Sequence, residues 1–131
     1  MVISVSIFFS LGVLHLVYTF LGPKLLPRDP ALQVAMSQIS PVITGETTIW
    51  RCWIGFNASH SMGVILFGLI YGFLAIAHSS LLFQSPYLLI VGLAMLIGFL
   101  ALGKLYWFSA PFIGILLSLT FYIASIIASH A

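Results

Sequence analysis

The sequence predicts an all-α polytopic membrane protein, a four-transmembrane-helix bundle with a short interfacial helix between helices one and two. Composition gives the first reason. Of the 131 residues, 62% are hydrophobic and only 5% are charged, whereas a soluble domain carries about 25% charged residues to cover its surface. The mean hydropathy of +1.23 agrees. The second reason is pattern: apolar runs long enough for a hydrocarbon core of ~30 Å recur four times, separated by breaks rich in Pro and Ser. Lipid must therefore cover most of the surface, which makes the bilayer the first partner. The length fits a single domain, 1–131. A net charge of +2 is too small to point to nucleic acid.

The first span covers residues 2–21 and holds no charged residue. It lacks a basic leader and a cleavage site and exceeds a signal core in length, so it reads as a retained helix. The stretch from Gly22 to Pro30 holds three prolines and stops it, since each proline lacks an N–H and restricts its predecessor. Ala31 to Ser40 can form a helix with Leu32, Ala35, Met36 and Ile39 on one side. It is too short to span and belongs at the interface. Thr44 reads as the cap of the second span, about 50–77, with Thr47 in its first turn. His78 to Ser85 reads as a polar turn. Pro86 opens the third span, 86–106, and Ser109 and Pro111 open the fourth, 111–129.

Lys24, Arg28, Arg51 and Lys104 are all the Lys and Arg residues, and they fall on loops of one side. The positive-inside rule then puts both termini on the extracytoplasmic or lumenal side of a bacterial inner or thylakoid-type membrane. The single cysteine, Cys52, excludes an intramolecular disulfide framework and reads as a small apolar helix residue.

The second span carries the chemistry. Glu46, Trp50, Trp53, Asn57, His60 and Ser61 recur at steps that share one helical face. A neighbouring stripe of Gly55, Ser59 and Gly63, continued by Gly68 and Gly72, is a helix-packing signal. His60 lies ~15 Å beyond Trp50 along the helix, near the midplane. His15, on the first span, lies ~20 Å from Val2, which brings the two histidines within ~5 Å in depth. Tyr18, one turn beyond His15, and Tyr106, at the end of the third span, can join them. A polar group in hydrocarbon needs a partner, so the plainest reading is a cluster that fixes helix register.

The sharper reading is a site. Histidine pairs bind haem or a metal, and one histidine can ligate a chlorophyll magnesium, so His60 or His15 would be the metal ligand. Proton transfer is a third use. No His-x-x-His or haem-attachment motif selects among these, and the cofactor stays open. Glu46 and Arg51 read as surface charges of the inner interface, where an ion pair contributes little. Trp50, Trp53, Trp107 and Tyr106 read as an aromatic belt there.

The run Trp50-Arg51-x-Trp53-Ile54-Gly55-Phe56-Asn57-Ala58-Ser59-His60-Ser61-x-Gly63 resembles the signature of a family of small, uncharacterised bacterial four-helix membrane proteins. The resemblance extends to His15-x-x-Tyr18-Thr19-Phe20, to residues 31–36, and to Tyr106-Trp107-Phe108 with Pro111 and Gly114. It covers most of the chain and implies architecture, with no catalytic residue to carry over. Sterol-isomerase-like four-helix bundles are a looser comparison, and this sequence lacks their intramembrane acidic residues.

Two functions follow as expectations. The first is a non-enzymatic accessory or scaffold subunit of a larger membrane complex, touching a haem, pigment, quinone or lipid through its histidines and associating with other subunits or with itself. The second is a membrane enzyme or binding protein for a lipophilic small molecule, centred on His15, Asn57 and His60. The tiny loops and small-residue faces favour the first.

Overall fold

The computed structural model describes residues 1–130 and is all-helical, with no strand among them. Six helices follow one another: α1 (Val2–Phe20), α2 (Pro30–Gln38), α3 (Ile49–Ala77), α4 (Ser79–Gln84), α5 (Pro86–Tyr106) and α6 (Ser109–His130). Four of them, α1, α3, α5 and α6, are long and apolar enough to cross a membrane, at 19, 29, 21 and 22 residues.

The helix ends follow from local chemistry. Gly22 takes φ +82° two residues after the last residue of α1, the left-handed conformation that terminates a helix and that glycine adopts without a Cβ penalty. Asp29 caps α2 by accepting from the Ala31 amide at 2.9 Å, with Pro30 in the first helical position. Ser85 caps α5 in the same way through the Leu88 amide at 3.3 Å, ahead of Pro86.

Three expectations are corrected here. Thr44 does not cap α3; its hydroxyl accepts from the Glu46 amide within the preceding loop. Thr48 does the capping, through the Arg51 amide at 3.3 Å, because it stands immediately before the first helical residue. The segment after His78 is a short helix rather than a turn, held by Leu82, which is fully buried. Ser109 is the first residue of α6, not its cap.

The residues divide into two compact units. One combines Met1–Leu11 with the chain from Val64 onward, so it contains the first half of α1, the second half of α3, and α4 to α6. Its core centres on Phe8, 1% exposed, which meets Phe67 and Phe99 edge-on at 5.3 and 5.1 Å. Such edge-to-face pairs add to plain area burial. Gly68 lets α3 approach α1: a methyl there would lie 2.6 Å from the Phe9 Cβ. Ser4 and Ser118, both fully buried, bond reciprocally. The Ser4 hydroxyl donates to the Ser118 carbonyl at 2.7 Å and the Ser118 hydroxyl to the Ser4 carbonyl at 2.9 Å. Tyr71 and Tyr122 donate to the Leu88 and Leu89 carbonyls at 2.7 and 3.0 Å, which satisfies hydroxyls that lipid could not.

The other unit is Gly12–Gly63, with the second half of α1, α2, and the first half of α3. Its loop closes where the Ile49 amide donates to the Ile39 carbonyl at 2.9 Å. The Trp53 indole N–H donates to the Leu25 carbonyl at 3.3 Å, and its ring joins Leu32 and Met36 of α2 around an open recess of about 410 Å³.

Most serine and threonine hydroxyls in the spans bond within their own helix. Ser10, Thr19, Ser61, Thr120 and Ser125 each donate to the carbonyl four residues back, at 2.7 to 2.9 Å.

Candidate functional site

The site is built within the Gly12–Gly63 unit by two helices. α1 contributes His15, and α3 contributes Asn57, His60 and Ser61. Asn57 is 8% exposed and Ser61 fully buried, while His15 and His60 are half-buried. Asn57 donates through Nδ2 to the Trp53 carbonyl at 2.8 Å. That bond fixes the amide orientation, because a carbonyl only accepts. Oδ1 therefore faces His15 Nε2 at 2.9 Å, and His15 donates. The imidazole is held as the Nε2–H tautomer, and any bond its neutral ring makes to a metal falls to Nδ1. Thr19 and Ser61 close the knot by donating to the His15 and Asn57 carbonyls at 2.8 and 2.9 Å.

His60 meets His15 edge-on, with ring centroids 5.5 Å apart and planes at 69°. Phe56 stacks beside His60 at 6.4 Å. The structure thus brings together three of the five residues expected at the site. Tyr18 is turned to Lys24, whose ammonium lies 4.2 Å over its ring and donates to its hydroxyl at 3.1 Å. Tyr106 belongs to the other unit and is 75% exposed as the last residue of α5. Among the described residues, no group of three His, Cys, Asp or Glu stands close enough to hold a metal ion.

The polar stripe expected on α3 holds for Asn57, His60 and Ser61. It fails for Glu46, which lies in the loop before α3 and is exposed. Trp50 is half-buried, while Trp53 and Arg51 are exposed. The small-residue stripe splits into two faces. Gly68 and Gly72 pack against Phe9 and Val5, whereas a methyl at Gly55 or Gly63 would meet nothing within 4 Å. Ser59, between them, is exposed and donates to the Phe56 carbonyl of its own helix at 3.0 Å. The split arises because the step from Gly63 to Gly68 is five residues, which rotates the stripe about 140° around the helix.

Sequence reasoning missed the Ser4–Ser118 pair and the two tyrosine hydroxyls. Their signal was present, since a lone polar residue within an apolar span needs an acceptor, but nothing named the partner.

Compared with known proteins, the chain matches no family model, no curated protein and no solved structure. The fold and the site chemistry therefore carry the functional argument.

Proposed function

We propose that the protein is a non-enzymatic accessory subunit of a larger membrane complex, docking another transmembrane helix on the open α3 face of Gly55, Ser59 and Gly63. The observation that carries this reading is the free space above that face. Small residues four apart let two helix backbones approach closely enough for dispersion to hold them in lipid. The polar cluster supports the same reading, because the Asn57 amide and the Ser61 hydroxyl are satisfied within the chain and serve to fix the register of α1 on α3. In this proposal both termini lie on the extracytoplasmic or lumenal side of a bacterial-type membrane, and the chain belongs with the small four-helix proteins whose signature its second span resembles.

The test is the native mass of the protein extracted gently from its own membranes, read together with its absorption spectrum. The wild type should run well above 14.3 kDa with other subunits attached. Gly55→Leu with Gly63→Leu should release it from them without unfolding it. An unchanged native mass in the double variant would refute the docking face.

A second reading has its own observation: His15 Nδ1 carries no hydrogen bond, and the ring is oriented by Asn57 beside His60. That nitrogen can accept an acidic hydrogen from a lipophilic ligand or fill an open metal position of a cofactor. That reading expects a bound absorbing or extractable ligand that His15→Leu removes.

A further inference from the structure

A groove of about 770 Å³ lies in the larger unit, far along the chain from the histidine cluster, where α4 meets the start of α5 and the end of α6. Its size falls in the range of specific small-molecule sites, about 300–1,000 Å³. Its walls divide by chemistry. Phe83, Leu89, Ile90, Leu93 and Ile126 form an apolar trough, while Ser79, Ser80, Gln84, Ser129 and His130 form a polar rim. The rim belongs to α4 and the last turn of α6, at the ends of spanning helices, where a bilayer changes from hydrocarbon to headgroups. α4 cannot swing away freely, because Leu82 on its inner side is fully buried.

The rim holds hydroxyls, an amide and an imidazole, but no Lys, Arg, Asp or Glu. These lining residues offer a phosphate or carboxylate no fixed cation, and the Met1 ammonium at this end of α6 is engaged by the Ser125 hydroxyl, outside the lining. What the rim offers is mixed hydrogen bonding. The Ser79 and Ser80 hydroxyls and the Gln84 amide make no side-chain bond to the protein, so both donors and acceptors are open. His130 Nδ1 donates to the Ile126 carbonyl at 2.9 Å, which leaves Nε2 of the neutral ring as an acceptor. A head bearing several hydroxyls matches such a set, because each hydroxyl both gives and takes a hydrogen bond.

We infer that this groove binds a membrane lipid with an uncharged, hydroxyl-bearing head, its tail along Leu89, Leu93 and Ile126 and its head against Ser79, Gln84 and His130. The site is independent of the α3 docking face, so either assignment can fail without the other. Selectivity comes from the rim, while the trough contributes packing contacts, since a tail already in hydrocarbon gains dispersion and not a hydrophobic driving force on entering it.

The experiment is native mass spectrometry of the full chain in detergent. The protein is offered equal amounts of a monoglucosyl diacylglycerol, a phosphatidylcholine and a phosphatidylglycerol of matched chains. The uncharged glycolipid should be retained preferentially, and free glucose should not displace it. Gln84→Leu should cut its retention about five- to tenfold, as expected for one or two ordinary hydrogen bonds. Ile90→Trp should fill the trough and abolish retention of all three lipids. Both positions are exposed, and unchanged melting temperatures will show that the variants fold. Equal or stronger retention of phosphatidylglycerol, retention unaffected by both substitutions, or no retained lipid at all would each overturn the assignment.

Discussion

Replacing Asn57 with Leu removes one side chain that ties two membrane helices together, and its effect can be worked from the geometry. Leucine is nearly isosteric, so no cavity opens. Two bonds go: the one from His15 Nε2 at 2.9 Å and the one to the Trp53 carbonyl at 2.8 Å. The second matters little, because that carbonyl still accepts the helical N–H four residues on. The first is interhelical, a class worth ~0.6 kcal/mol on average in membranes and up to ~1.7. Its loss also leaves the His15 N–H facing apolar surroundings, a desolvation penalty of about 1–3 kcal/mol where the group is buried. His15 is only half-buried, so the lower part of that range applies and the sum is about 1–2 kcal/mol. Reversible unfolding in mixed micelles, followed by tryptophan fluorescence, measures it. A cycle with His15→Leu isolates the pair: the double variant should be little worse than the worse single, with a coupling of about 1 kcal/mol. Additivity within ~0.3 kcal/mol would show that the two side chains do not act as a unit and would refute the reasoning.

Gly68→Ala should destabilise by about 1–3 kcal/mol in the same assay, since its methyl would lie 2.6 Å from the Phe9 Cβ and 3.2 Å from the Phe9 Cα, and backbone cannot yield cheaply. Gly55→Ala, which meets nothing, should leave the stability of the isolated chain within about 0.5 kcal/mol of wild type. Gly92→Ala should be worse than Gly68→Ala, because its methyl would overlap the Tyr122 hydroxyl and lie 2.7 Å from Tyr71 Cε1; a variant with wild-type melting would contradict the close approach. Ser4→Ala and Ser118→Ala should each cost about 1 kcal/mol, and together less than their sum, because each removes one half of a reciprocal pair.

The four spans were legible because lipid imposes length and apolarity directly on the chain, and the observed ends at Phe20, Ala77 and Tyr106 lie within a residue of those read from sequence. The partnership of His15 with Asn57 and His60 was legible for a related reason. A helix rises by a fixed amount per residue, so depth can be counted, and costly polar groups at one depth seek each other. Rotation was less accessible. Tyr18 shares a face with His15 by spacing, yet Lys24 claims it, because a cation after the turn at Gly22 can reach back over its ring. The glycines of α3 could be read as small but not as packed or open, since that depends on which helix stands opposite. The α4 helix escaped notice because six residues show too little periodicity to tell a helix from a turn.

The hydroxyls that donate back along their own helices have a consequence for how the chain enters a membrane. Ser10, Thr19, Ser61, Thr120 and Ser125 carry their acceptors with them, so these groups can meet hydrocarbon before any other segment arrives. His15, the Asn57 side-chain amide oxygen, the Ser4–Ser118 pair and the two tyrosine hydroxyls cannot, for their partners arrive on other segments. These groups make each newly inserted helix incomplete until its neighbour comes, and the sequence thereby writes into the lipid phase a short list of helices that must find one another.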